Sequence, residues 1–251
     1  MTTLAGQGEP VILIHSLGTG ARIWDPVVAR LQEHLQVITY DLRGHGDPGW
    51  EGEAYTVEDC ARDLDGLLAE LRLDSAHVWG LTLGGSIAAV YAGMYPARVR
   101  TLTVADATGW YGEGGFASWE ARARATLTTP REDQFRASVP LWFTPPFIAQ
   151  HPEEIERIRG VYMGTSNAGH AAACLALGRL DARPWVGKIT APTLVMTGEM
   201  DTRTPPEMGR VLADSIPGAR FELLPGLAHL TPLESNLPTD KALAHILGAS
   251  Q

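Results

Sequence analysis

The stretch Val78-Trp-Gly-Leu-Thr-Leu-Gly-Gly-Ser-Ile-Ala88 constrains this chain more than any other. An apolar run enters a turn flanked by Gly80, Gly84 and Gly85, and a helix of small residues follows at once. A strand that turns sharply into a helix presents the central side chain of the turn, here Thr82, at the strand's carboxyl end. The pattern is G-x-S-x-G with threonine in the place of serine. The glycines leave room for a tight turn whose central residue adopts a positive φ.

The rest of the chain supplies the sheet that such a turn needs. Six short apolar or β-branched runs, PVILIHS, QVITY, AHVWGL, RTLTVAD, TLVMTGE and ARFELLP, read as parallel strands buried on both faces. Helical patterns alternate with them. Thr56 followed by Asp59 forms a variant capping box ahead of Leu64, Leu67, Leu68 and Leu71, and a helix from Gly84 to Tyr95 stops at Pro96. The fold class is therefore α/β, an open and mostly parallel sheet with helices on both faces. Between residues 110 and 188 the alternation breaks. ASWEARARATL and PEEIERIRGVYM read as amphipathic helices and LWFTPPF as an aromatic cluster, which predicts a helical cap insertion over the carboxyl ends of the strands, where open α/β sheets bind ligands. The division expected is a core of 1–109 and 189–251 with a cap of 110–188.

Composition limits the partners. The chain has 251 residues, 45% hydrophobic and 20% charged, with a formal net charge of −9, so it has ample core material and lacks the clustered basic charge that nucleic acid or an anionic membrane demands. A small-molecule substrate is the expected partner. Cys60 and Cys174 are far apart without metal-ligand spacing and read as free buried thiols of a reducing compartment. The opening MTTLAGQGEP has no basic or apolar leader features, and no apolar run reaches the length of a membrane span, so a cytoplasmic location is expected. No metal-site spacing, G-x-G-x-x-G or P-loop is evident, so the expectation is no cofactor and no metal.

Taken in order along the chain, Ile14-His-Ser-Leu-Gly-Thr19, Trp24-Asp25, Tyr40-Asp-Leu-Arg-Gly-His-Gly46, the Thr82 turn, Trp142-Phe-Thr-Pro145, Pro192-Thr-Leu-Val195 and Ala228-His-Leu230 resemble the α/β-hydrolase family, and within it the 3-oxoadipate enol-lactonase group. The resemblance covers nearly the whole chain. It implies a nucleophile at Thr82, an orienting acid at Asp201 and a general base at His229, the usual chain order on this fold. Asp106, which ends RTLTVAD, is the alternative acid, because some members place theirs there. The oxyanion hole is expected from the backbone N–H groups of Leu83 and Leu17, with Ser16 second to Leu17. The segment Asp41 to Gly46 is expected to be a structural loop. Trp142 and Phe143 are candidate pocket residues.

Two departures matter. The enol-lactonase group often has a basic residue before Trp-Phe-Thr, where this chain has Leu141, which weakens the case for a dicarboxylate such as 3-oxoadipate enol-lactone. Arg122, Arg124, Arg131 or Arg136 would have to compensate. Relatives also begin with two antiparallel strands, whereas Thr2 to Ala5 can supply only a remnant, so those strands are expected to be reduced or missing, leaving a sheet edge open to homodimer formation.

Threonine at the elbow keeps the hydroxyl, stiffens χ1 and adds a methyl where a carbonyl must approach. Three readings follow. The first is a hydrolase of a small ester or lactone using Thr82. The second is a lyase, isomerase or cyclase in which His229 and Asp201 move protons and Thr82 only hydrogen-bonds. The third, a ligand-binding relative without catalysis, sits poorly with so complete a set of site residues.

Overall fold

The computed structural model describes residues 2–47 and 49–249. Its strands are β1 (Thr2–Ala5), β2 (Pro10–Ile14), β3 (Gln36–Tyr40), β4 (Ala76–Leu81), β5 (Val99–Ala105), β6 (Thr193–Gly198) and β7 (Arg220–Leu224). They form one sheet in the order β1-β3-β2-β4-β5-β6-β7. Strands β2 to β7 run parallel, and β1 alone pairs antiparallel, with β3. The six parallel strands are the six apolar runs of the sequence. The antiparallel start is reduced to a single short strand.

The helices are α1 (Asp25–Leu31), α2 (Val57–Glu70), α3 (Leu83–Met94), α4 (Gly115–Thr128), α5 (Arg131–Trp142), α6 (Pro145–Gln150), α7 (Pro152–Met163), α8 (Asn167–Gly178), α9 (Arg183–Val186), α10 (Pro206–Asp214), α11 (Thr231–Glu234) and α12 (Leu237–Ala249). The sheet separates two hydrophobic cores, and successive strand residues feed them alternately. Ile12 and Ile14 of β2 join α2, α3 and α10 on one face, while Val11 and Leu13 join α1 and α12 on the other. All four are fully buried, and each such aliphatic side chain contributes roughly 1.5–3 kcal/mol of transfer free energy. Cys60 and Cys174 are buried free thiols in the first core. The capping box at α2 forms as expected: Thr56 Oγ1 accepts from the Asp59 N–H at 3.1 Å, and the Asp59 carboxylate accepts from the Thr56 N–H at 2.8 Å.

Helices α4 to α9 all lie between β5 and β6 in sequence, and an isolated bridge between Trp110 and Asp181 ties the two ends of that stretch. No helix among the described residues is long and apolar enough to cross a membrane.

The junction of β4 and α3 is among the tightest points of the sheet. A Cβ on Gly80 would lie 2.1 Å from the Gly84 carbonyl oxygen, and one on Gly84 would lie 2.1 Å from the carbonyl oxygen of Ile14. Backbone meets backbone there, so no side chain can give way. Gly84→Ala is therefore expected to cost about 3 kcal/mol or more, at or beyond the upper end of ordinary overpacking. Urea unfolding checks this, and a loss below 1 kcal/mol would contradict the packing argument.

Candidate active site

Thr82 stands between β4 and α3 with φ 51° and ψ −112°. A β-branched residue reaches that region only under constraint, at a cost of about 1–3 kcal/mol. The constraint is visible: the Thr82 N–H donates to the Ala105 carbonyl of β5 at 2.9 Å, and its carbonyl receives the Ser86 N–H of α3 at 3.0 Å. Thr82 Oγ1 accepts the Leu83 N–H at 2.5 Å.

Asp201 and His229 come from the loops after β6 and β7. Four donors converge on Asp201. Its Oδ1 accepts the N–H groups of Arg203 at 2.7 Å and Thr204 at 3.0 Å. Its Oδ2 accepts the Thr204 hydroxyl at 2.7 Å and His229 Nδ1 at 2.8 Å. With the ring proton on Nδ1, the Nε2 of a neutral His229 carries a lone pair. The Trp142 carbonyl accepts the N–H groups of His229 at 3.0 Å and Leu230 at 3.1 Å. Ser16, Leu17, Thr82, Leu83, Trp142 and His229 line one pocket, together with Tyr111, Trp119, Leu177, Thr204, Leu230 and two arginines, Arg122 and Arg203.

Asp106, the alternative acid, goes elsewhere. Its carboxyl receives the Gly198 N–H at 3.0 Å and the hydroxyl of Thr231 at 2.6 Å, and His229 is bonded to Asp201 instead. Complete burial, reinforced by the charge of Asp201, pushes the Asp106 carboxyl well above the usual range. It fastens the end of β6 to the His229 loop. Phe143 also departs from expectation. It is fully buried and stacked on Phe147 at 5.0 Å, in the core and not among the pocket residues, whereas Trp142 does line the pocket.

Of the four arginines weighed as compensation for Leu141, Arg124 and Arg136 pair with Glu120 and Glu132 on their own helices. Arg122 lines the pocket. Arg131 lies beneath the turn that carries Leu17. Its Nη2 donates to the Gly18 carbonyl at 2.8 Å and to the Tyr162 carbonyl at 2.7 Å, and its Nη1 donates to His170 Nδ1 at 2.6 Å. The Gly18 N–H donates to His45 Nε2 at 3.0 Å, and the Leu42 N–H to His15 Nε2 at 3.0 Å. Gly18 itself has φ 73°, and a Cβ there would lie 3.0 Å from both the His170 and Tyr162 rings. The turn is thus clamped by histidines from three separate segments. Sequence reasoning gave His45 no role beyond its loop and missed His170, Arg203, Tyr111 and Trp119. Arg203 alone had a signal, its place two residues beyond Asp201.

These histidines must stay neutral to accept those bonds. Burial lowers His15 to about 4 and holds His45 and His170 well below the usual histidine value, with the Arg131 charge acting in the same direction on the last two. Below pH 6.5 the unfolded chain takes up protons at these positions that the folded chain refuses, so stability is lost as pH falls from 6.5 toward 4. Asp106 has the opposite sign, since its folded state holds a proton that the unfolded chain has released above 3.8. One proton difference changes stability by about 1.4 kcal/mol per pH unit, and three histidines outweigh one carboxyl. Urea unfolding at pH 7, 5.5 and 4.5 is expected to show a steep decline. A flat profile would contradict neutral histidines behind the turn.

Comparison with known proteins agrees with this architecture. A family model described as the alpha/beta hydrolase fold matches residues 9–235. The chain is 30% identical over 246 residues to a 3-oxoadipate enol-lactonase of Acinetobacter baylyi, covering 97% of this chain and 90% of that one. Among solved structures it resembles a hydrolase from Pseudomonas aeruginosa (31% identity, TM-score 0.91, 98% of this chain and 93% of that one). It also resembles the enol-lactonase from Burkholderia xenovorans (29% identity, TM-score 0.90, 99% and 96%). The sheet order, the strained turn after β4 and the match across most of its length make this chain a member of the α/β-hydrolase family.

Proposed function

We propose that this protein hydrolyses a small carboxylic ester or lactone, with Thr82 as nucleophile, His229 as general base and Asp201 as the acid that orients it. The observation that carries the reading is the His229–Asp201 bond of 2.8 Å in a pocket that also contains the positive-φ Thr82. The names of the enol-lactonase relatives support the substrate class.

In this mechanism His229 Nε2 takes the Thr82 hydroxyl proton as Oγ1 bonds to the substrate carbonyl carbon. The carbonyl oxygen becomes an oxyanion, received by the N–H groups of Leu83 and Leu17, a pair of the kind worth about 3 kcal/mol per donor in the transition state. The tetrahedral species collapses and His229 returns its proton to the leaving oxygen. In a lactone that oxygen stays tethered to the acyl chain. Water, activated by His229, then cleaves the acyl-threonine ester. The helical stretch 110–188 serves as a cap, contributing Trp119, Arg122, Trp142 and Leu177 to the pocket wall. Arg122 and Arg203 favour a substrate that carries negative charge. Arg122 stacks on Trp119, and neither guanidinium has a carboxylate partner among the described residues.

The bond from the Leu83 N–H to Thr82 Oγ1 also suits the rival reading, in which threonine holds a substrate while His229 moves protons. Intact-mass analysis after exposure to an activated phosphonate separates the two. The hydrolase reading expects a stoichiometric adduct on the protein, faster labelling of Thr82→Ser by roughly tenfold or more, and none on Thr82→Ala. Labelling of Thr82→Ser alone would overturn the threonine nucleophile.

The two aspartates are separable by the same logic. Asp201→Asn is expected to lower kcat on 4-nitrophenyl esters by about 10³–10⁴, since the wrong tautomer of the base would be held. Asp106→Asn, at a carboxyl bonded to Gly198 and Thr231 and not to His229, is expected to stay within about threefold of the parent. The reverse ranking would assign the acid to Asp106.

A further inference from the structure

Most arginines of the helical stretch 110–188 pair with a carboxylate. Arg124, Arg136, Arg157, Arg159 and Arg183 each meet an Asp or Glu side chain. Arg131, the first residue of α5, meets none among the described residues. Its Nη2 donates to the Gly18 and Tyr162 carbonyls at 2.8 and 2.7 Å, and its Nη1 donates to His170 Nδ1 at 2.6 Å. The Gln134 side-chain oxygen lies 3.5 Å from Nη1, and the guanidinium carbon sits 3.7 Å from the centre of the Tyr162 ring. Each of these acceptors is neutral, His170 included. The Nε of Arg131 is buried and has no hydrogen-bond partner among the described residues.

A sheltered cation held only by neutral groups is costly, because their hydrogen bonds return part of the hydration it loses and none of the opposing charge. The surroundings register that cost. Burial makes the guanidinium release its proton more readily than usual, and after burial the charge of Arg131 helps to hold His45 and His170 neutral. An arginine nevertheless keeps its charge in a protein. A full positive charge therefore stands against the Gly18 peptide, one residue beyond Leu17. A neutral donor would serve equally well to bond the Gly18 carbonyl. What arginine adds at this position is net charge.

We propose that the counter-charge of Arg131 is the oxyanion of the transition state, and that Arg131 is a positioning residue which, through the Gly18 peptide, fixes the turn carrying Leu17 and gives it positive potential. The inference rests on the reading that Thr82 attacks a carbonyl whose oxygen is received by the Leu17 and Leu83 N–H groups. A neutral ester brings no such charge to the ground state, so the effect falls on kcat and not on KM. Unit charges about 10 Å apart within a protein interact strongly enough for a rate effect of roughly tenfold. Because α5 belongs to the helical stretch that covers the pocket, the same contact makes the full strength of the site depend on that stretch being docked.

The test supplies Arg131 with a counterion from the protein itself. His170→Glu and His170→Gln both offer an oxygen to Arg131 Nη1, and only the first carries a negative charge. With 4-nitrophenyl acetate as a small uncharged ester, kcat of His170→Glu is expected to lie about tenfold or more below that of His170→Gln, with KM values within about twofold of each other. Arg131→Lys keeps the charge, whereas Arg131→Gln keeps a donor for the Gly18 carbonyl, so the lysine variant is expected to be faster by roughly fivefold or more. This second pair carries the test should the His170 variants fail to fold. Equal kcat in the two folded members of a pair would overturn the proposal and leave Arg131 a hydrogen-bonding tie. Formate titration, followed through the Leu17 and Leu83 amide NMR signals, needs no turnover. Formate is expected to bind His170→Glu about tenfold or more weakly than His170→Gln. That result in a protein that turns over no ester would support the electrostatic role while overturning the hydrolase reading, and equal formate affinity would overturn the role itself.

Discussion

A threonine forced to φ 51° is the constraint on which the site depends. Nothing in threonine favours that conformation, and the surrounding packing imposes it. Gly80 and Gly84 bring β4 and α3 within backbone contact of each other and of the end of β2. The contact that makes the turn sharp also brings the Leu83 N–H close to the turn that carries Leu17. The elbow and the turn that carries Leu17 are thus two sides of one backbone approach between the Ile14 and Gly84 peptides, and neither can shift without the other.

The same economy appears around Gly18. Its N–H is taken by a histidine from the loop after β3 and its carbonyl by an arginine from α5. The helical stretch after β5 therefore does more than cover the sheet: it grips the turn from behind, and the Thr165 hydroxyl adds a bond to the Thr19 carbonyl at 2.9 Å. Glu234 does similar work on the opposite side, receiving the Ala228 N–H at 2.8 Å with one oxygen and the Thr144 N–H at 2.9 Å with the other. Loops from distant parts of the chain are locked to each other mainly through side-chain-to-backbone bonds, which gives loop positions the rigidity usually reserved for sheet and helix.

This pattern explains what could be read in the sequence. Strands β2 to β7 were legible because parallel strands buried on both faces must be continuous apolar runs. The cap of α2 was legible because Thr56 and Asp59 act within one turn. Thr82, Asp201 and His229 were identifiable as candidates from their places after β4, β6 and β7. The clamps were not legible. Gly18 meets His45 across 27 residues and Arg131 across 113, and no local pattern marks a residue whose partner is chosen by the topology. Phe143 misled for the related reason that it adjoins Trp142, yet successive residues at a helix end point in different directions, one into the pocket and one into the core.

The resting hydrogen bond at the elbow bears on why threonine would be slow. Thr82 Oγ1 already occupies the Leu83 N–H, the donor that a developing oxyanion would use. Attack requires the hydroxyl to leave that donor as the substrate oxygen arrives. Serine can make this change by rotating about χ1 with only hydrogens displaced. In threonine the methyl turns with the hydroxyl, so the same rotation must also find room for a carbon. A pocket of about 40 Å³ leaves no slack for both. A small, reactive acyl group with little bulk beside the carbonyl suits that space, as a strained or enol-activated lactone would, and a hindered ester does not.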